Sequence, residues 1–203
     1  MDEANIKNKT ELLREIKDEV IAFSASPLYR ERIANGVLPV IGEGSHDAHV
    51  IFIGEAPGKN EAATGRPFCG AAGKVLDELL AHIALPRKDV YVTNIVKDRP
   101  PLNRDPLPEE IALYAPFLDR QIAIIKPKVI ATLGRFSMAY IMERLGLAAQ
   151  LSTISQLHGK TFSATMPWGE IKIVPLYHPA AAIYDQRKKD TLKKDMEAVK
   201  KLL

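Results

Sequence analysis

Cysteine occurs once in this 203-residue chain, at Cys69. A single thiol excludes an intramolecular disulfide and suits a reducing compartment. It also excludes a metal cluster held by the cysteines of one chain. Long apolar runs are missing, so nothing here has the length to span a bilayer. The opening stretch, MDEANIKNKTELLREIKDEV, is charged where a signal peptide would carry its apolar segment. An intracellular protein without a membrane partner is therefore expected. Internal repeats, low-complexity tracts and linkers are also absent, which leaves one domain over residues 1–203. Neither Gly-Lys-Ser/Thr at Walker spacing nor G-x-G-x-x-G is present, which excludes the two common phosphate-cradling loops. The net charge of +3 permits an anionic partner without requiring one.

Four short apolar, β-branched segments are present: HVIFIG (49–54), VYVTNI (90–95), KVIATLG (128–134) and IKIVPLYH (171–178). Near-continuous apolar runs of this kind read as strands buried on both faces. Helical patterns separate them. One follows Gly73 with Val75, Leu76, Leu79, Leu80 and Ile83 on one face. LPEEIALYAPFLDRQIAIIK (107–126) has Pro108 at a favoured early position and Pro116 where a kink is expected. RFSMAYIMERLG (135–146) is closed by Gly146, and KTELLREIKDEVIAF lies near the start. The lysine-rich end, DQRKKDTLKKDMEAVKK, repeats Leu192, Met196 and Val199 near helical spacing and reads as a packed helix with a solvated face. Strands alternating with helices predict a single-domain α/β/α sandwich around a central four-stranded, mainly parallel sheet. In such sheets ligands bind beyond the carboxyl ends of the strands.

Those ends carry the polar residues of interest. GEAPG (54–58) turns the chain after the first strand, and Gly54 and Gly58 permit close backbone approach. Taken alone it is an ordinary turn. Phe68 sits between turn elements of the following loop, as core or as a platform for a flat ring. Asn94 ends the second strand, and its amide satisfies local backbone or reads the edge of an amide-like ligand. His178 ends the fourth strand ahead of Pro179, where a neutral imidazole could donate to an oxygen gaining charge. His158, in QLHGK, could approach the same cleft.

GEAPGKNEAATGRPF followed by GAAGKVLDELL, then TNIVKDRPPLNRDPLPEE, then YHPAAAI, resembles the family 4 uracil-DNA glycosylases, from about residue 20 to about residue 185. The resemblance implies a monofunctional, monomeric hydrolase that flips uracil out of DNA and cuts its N-glycosidic bond, initiating base excision repair. It also implies a cytoplasmic, nucleoid-associated location and single- or double-stranded uracil-containing DNA as partner. By that likeness Phe68 stacks on the base, Asn94 reads its amide edge, and Gly54, Ala56 and Gly58 line the pocket. His178 stabilises charge on the departing uracil. Glu55 and Glu61 are the candidate carboxylates, with Glu61 expected to orient water and Glu55 the alternative loop organiser. Other deaminated bases, such as hypoxanthine or xanthine, and a non-catalytic DNA- or uracil-binding module stay open as alternatives.

The family typically holds a four-iron cluster on four cysteines. The corresponding positions here are Phe23, Ser26, Asp98 and Tyr114, so no cofactor and no metal are expected. Phe23 and Tyr114 are expected to fill the vacated space, and Asp98 to find a cationic or backbone partner. Cys69 reads as a small packed side chain behind Phe68. For DNA, Lys97, Arg99, Arg104, Arg135 and Lys160 are candidate phosphate contacts, with Ala180 and Ala181 in a segment suited to wedge into the duplex.

Overall fold

A computed structural model describes the backbone of residues 3–203 and the side chains from residue 8 onward. Residues 1 and 2 of the expected domain lie outside the described residues. The elements in chain order are α1 (Glu3–Ile21), α2 (Pro27–Ala34), β1 (Glu43–Gly44), β2 (Val50–Gly54), α3 (Lys59–Thr64), α4 (Ala71–His82), β3 (Tyr91–Asn94), α5 (Pro108–Ile125), β4 (Val129–Leu133), α6 (Arg135–Arg144), α7 (Ile154–Leu157), β5 (Phe162–Met166), β6 (Gly169–Leu176) and α8 (Gln186–Lys200). The strands form one six-stranded sheet in the order β1-β3-β2-β4-β6-β5. The four expected strands are its parallel centre. β1 and β5 add an antiparallel strand at each edge, which corrects the expected four to six. Neither edge strand has a continuous apolar run. β5 reads Phe-Ser-Ala-Thr-Met and is half-buried, and β1 is two residues long.

Side-chain alternation in β2 shows how the layers form. Ile51 and Ile53 face a core shared with Leu13, Ile16 and Val20 of α1, Leu118 and Ile122 of α5 and Ile141 of α6. Val50 and Phe52 face the opposite core, with Leu76 and Leu79 of α4 and Leu192, Met196 and Val199 of α8. Both faces of the strand are thus covered, the condition that favours runs without polar alternation. The C-terminal helix packs on its apolar stripe as its spacing predicts. α5 continues through Pro116 to Ile125. Because α4 and α6 lie on opposite faces, the winding reverses beside β2, where such sheets open a crevice.

A buried knot joins the N-terminal helices to the loop after β3. The Arg32 guanidinium donates to the carbonyl oxygens of Val20 (3.1 Å) and Ile21, satisfying the open end of α1. It also pairs with Asp98 at 3.2 Å. The Tyr114 hydroxyl donates to the same carboxylate at 2.6 Å. Burial is the larger influence on Asp98 and pushes its carboxyl upward against both partners. Phe23 meets the Tyr114 ring edge-to-face, with centroids 5.5 Å apart. Ser26 caps α2 by accepting the Leu28 N–H at 3.2 Å. Asp98→Ala would leave the Arg32 charge buried and unpaired, and should cost about 3–5 kcal/mol. Tyr114→Phe should cost about 1–3 kcal/mol by removing one hydrogen bond. Urea unfolding midpoints of the two variants check both the order and the size.

Candidate active site

The carboxyl ends of β2, β3 and β6 open into a cleft of about 460 Å³ lined by Glu55, Phe68, Asn94 and His178, among others. Gly54 makes this possible. A Cβ at that position would collide with the Asn94 Oδ1 and lie 2.7 Å from the Phe68 ring. Gly73, in the first turn of α4, plays the same part for the platform: a Cβ there would strike the Phe68 carbonyl. Phe68 itself is buried and adopts a left-handed φ of 47°, which non-glycine residues rarely accept. The Pro67 carbonyl just before it accepts the Arg87 guanidinium at 2.7 Å. The loop is therefore held from outside while the ring is held over the cleft, 5.7 Å from the His178 ring.

Asn94 is 2% exposed, and its Oδ1 has no hydrogen-bond partner. A buried amide oxygen left without a donor is costly, so it is open to an N–H or O–H donor from the cleft. His178 has a defined tautomer when neutral. Its Nδ1 accepts the Ala180 N–H at 3.1 Å, which leaves the proton on Nε2. Burial pushes its pKa down to about 4, so the ring is a neutral donor near pH 7.

The two carboxylates differ. Glu61 Oε1 accepts the N–H groups of Cys69 (3.0 Å) and Gly70 (2.9 Å), and so organises the loop that carries Phe68. That is the part expected of Glu55. Both carboxylates line the cleft, and Glu55 has its pKa pushed up to about 7, mainly by burial and further by the Asp105 charge. Gly58 stays close to Glu61, where a Cβ would meet its Oε2 at 2.7 Å.

Comparison with known proteins fits this geometry. Residues 41–202 match the family model described as the uracil DNA glycosylase superfamily. The chain belongs to that superfamily. It is 44% identical over 191 residues to a type-4 uracil-DNA glycosylase of Sulfurisphaera tokodaii, covering 94% of this chain and 84% of the relative. Similar relatives of the same description come from Archaeoglobus fulgidus, at 43% identity over 80% of this chain and 81% of the relative, and Thermotoga maritima, at 38% over 85% and 83%.

Superfamily membership makes the cluster positions worth testing against the structure. Phe23, Asp98 and Tyr114 contact one another as described, and Ser26 lies buried beside them. They offer no thiolate, and their polar atoms are engaged with each other and with Arg32, so an iron–sulfur cluster does not fit these residues. Among the described residues, no group of three or more His, Cys, Asp or Glu side chains could hold a metal ion.

The candidate DNA contacts divide. Lys97 is 0% exposed and cannot reach a phosphate, which corrects the surface role expected for it. Its charge suggested solvent, but its stem and amine run inward beneath β3. Arg104 is held by Glu110 through two bonds of 2.8 and 2.6 Å, and Arg135 pairs with Asp105. Arg99 donates to Asn103 Oδ1 at 2.6 Å. Lys160, Ala180 and Ala181 are exposed. His158 does not line the cleft: it bonds Asp195 of α8 at 2.8 Å and packs on Tyr177. Cys69 is exposed, not packed behind the platform as expected, because its N–H and not its thiol points to Glu61. Asn103 and Asp105 also line the cleft, and nothing in the sequence of this basic loop marks them. Glu61→Ala should cost about 1–3 kcal/mol in thermal unfolding by leaving two loop N–H groups without their acceptor. Wild-type stability would show that the loop does not need this carboxylate.

Proposed function

We propose that residues 1–203 form one uracil-DNA glycosylase domain that excises uracil by hydrolysis in base excision repair. The carrying observation is the unpartnered Oδ1 of buried Asn94 beside the Phe68 ring. Uracil offers an N3–H to that oxygen and a carbonyl to the amide nitrogen. Cytosine presents an acceptor at N3 and an amine at C4, which leaves two like pairs facing each other. The relatives' descriptions as type-4 uracil-DNA glycosylases support the same substrate.

The chemistry then follows from the side chains. The base stacks on Phe68 after its nucleotide is flipped from the duplex. Backbone of Gly54, Ala56 and Gly58 lines the approach. As the bond between the sugar C1′ and uracil N1 breaks, its electron pair leaves with the base. His178 donates from Nε2 to the O2 of that anion, and a neutral donor suits a poorly solvated site. Glu55, whose carboxyl lines the cleft, orients water toward C1′ and takes its proton. The products are free uracil and an abasic site. Arg99, Arg104, Arg135 and Lys160 border the DNA path, with Ala180 and Ala181 toward the duplex. The enzyme acts as a monomer, and the Phe23–Tyr114–Asp98–Arg32 knot serves where relatives in the family use a cluster.

The test uses oligonucleotides carrying U opposite G, U opposite A or single-stranded U, followed by alkaline cleavage of abasic sites. Cleavage should occur in protein that contains no iron. Asn94→Ala and His178→Ala should each lose at least about a hundred-fold. Since Glu55 must be ionised to accept a proton, the single-turnover rate should rise with pH through about 7. Glu55→Gln should flatten that rise. Binding of uracil DNA without any excision would overturn the enzymatic reading.

A further inference from the structure

Lys97 is a fully buried amine, and the excision chemistry gives it no part. Its Nζ lies 2.6 Å from Gln121 Oε1, 2.7 Å from the Asn94 carbonyl oxygen, 2.8 Å from Thr93 Oγ1 and 3.3 Å from the Ile41 carbonyl oxygen. All four are acceptors, and none is a carboxylate. The neighbours are themselves oriented. Gln121 Nε2 donates to the Ile41 carbonyl (3.0 Å) and to the Tyr91 hydroxyl (3.1 Å), which turns Oε1 toward the amine. The Thr93 hydroxyl donates to the Ile41 carbonyl at 2.7 Å, leaving its lone pairs to Lys97. The backbone of Lys97 is fixed as well, since its carbonyl accepts the Val40 N–H at 2.7 Å.

This network explains a feature that the cleft alone does not. The Asn94 Oδ1 has no protein partner, so no hydrogen bond to that atom aims the amide at a ligand. Its aim must come from backbone and packing. On the cleft side, Gly54 and Phe68 confine the side chain. From behind, Lys97 grips the carbonyl of the same residue three positions earlier in the chain, closing the end of β3. A methionine could fill the volume of the lysine stem. It would leave the Asn94 carbonyl and Gln121 Oε1 without their donor, and the strand end would be held only from the β2 side, by the Ile95 N–H on the Gly54 carbonyl (3.1 Å) and the Val96 N–H on the Glu55 carbonyl (3.0 Å).

We propose that Lys97 is a positioning residue for base recognition: by clamping the Asn94 carbonyl, it sets the direction of the amide that reads uracil. The inference rests on the uracil reading above. Small misplacement of a recognition group is costly in such sites, on the order of a hundred-fold per ångström.

The experiment compares wild type, Lys97→Met, Asn94→Ala and the double variant. It measures single-turnover excision of U opposite G, inhibition by free uracil, and affinity for abasic-site DNA. Circular dichroism confirms folding. Lys97→Met should lose about ten-fold or more in rate and a similar factor in uracil inhibition, while abasic-DNA affinity stays within about two-fold. Added to Asn94→Ala, it should cost nothing further, because both act through one group. A folded Lys97→Met with wild-type rate and uracil inhibition would overturn the proposal. So would a rate loss that multiplies with that of Asn94→Ala. Should Lys97→Met fail to fold, Thr93→Val removes one acceptor of the same amine. It should lower the rate by about three-fold or more, again without effect on top of Asn94→Ala, and an unchanged rate would overturn the proposal. Absence of excision by wild type defeats the uracil reading itself and takes this inference with it. Loss confined to the variants bears on Lys97 alone.

Discussion

The absence of a side chain at Gly54 is the constraint on which the cleft depends. β2 ends where the Asn94 amide and the Phe68 ring already occupy the space that any Cβ would need. The same holds at Gly73, where α4 runs against the Phe68 carbonyl. One backbone therefore approaches a planar ring and a planar amide, and the other the backbone beneath that ring, more closely than alanine would permit. The strain of a left-handed Phe68 follows from this crowding: the ring reaches the cleft only if its backbone turns the unusual way. Strained residues persist where their surroundings leave no alternative, and here the surroundings line the cleft.

Crowding also sets the electrostatics. Glu55 and His178 share a poorly solvated cleft, and burial is the leading cause of both shifts, one upward to about 7 and one downward to about 4. Desolvation penalises whichever form is charged, so one environment moves an acid and a base in opposite senses. The outcome near neutral pH is a histidine that donates without carrying charge and a carboxyl poised between its two states. Such divergence between neighbouring groups is a pattern that assigns acid and base roles. Glu61 shows the contrast: it lines the same cleft, but two backbone N–H groups hold one oxygen of its carboxylate.

Much of this was legible in the sequence, and the gaps have physical causes. The four central strands announced themselves because both faces are covered, which demands uninterrupted apolar residues. β5 did not, because Ser163 and Thr165 alternate with its apolar positions at an open edge. Phe68, Asn94 and His178 could be singled out because strand ends in parallel sheets are where ligands bind. The division between Glu55 and Glu61 could not, since it depends on the backbone N–H groups of Cys69 and Gly70, which have no sequence signature. Lys97 was misread for a deeper reason. A lysine between Val96 and Asp98 is solvated in most proteins. Its acceptors come from Thr93, Asn94, Gln121 and Ile41, brought together only by the fold.

The loop after β3 joins these observations. Consecutive residues of that loop make two sets of buried contacts: Lys97 bonds the Asn94 carbonyl at the end of β3, and Asp98 bonds Arg32 and Tyr114. The Arg32–Asp98–Tyr114 knot thus begins one residue from the lysine that bonds the Asn94 carbonyl. A metal cluster would hold such a junction by a few strong bonds. Here an ion pair, a phenol hydrogen bond, an edge-to-face ring pair and a helix cap share the task, each contributing on the order of a kcal/mol. Contacts of that size hold a loop only in concert, because an isolated buried polar group costs more than a satisfied one returns. The N-terminal helices and the end of β3 are therefore joined through one loop. Residues 97 and 98, side by side in the chain and facing opposite ways, are the link between them.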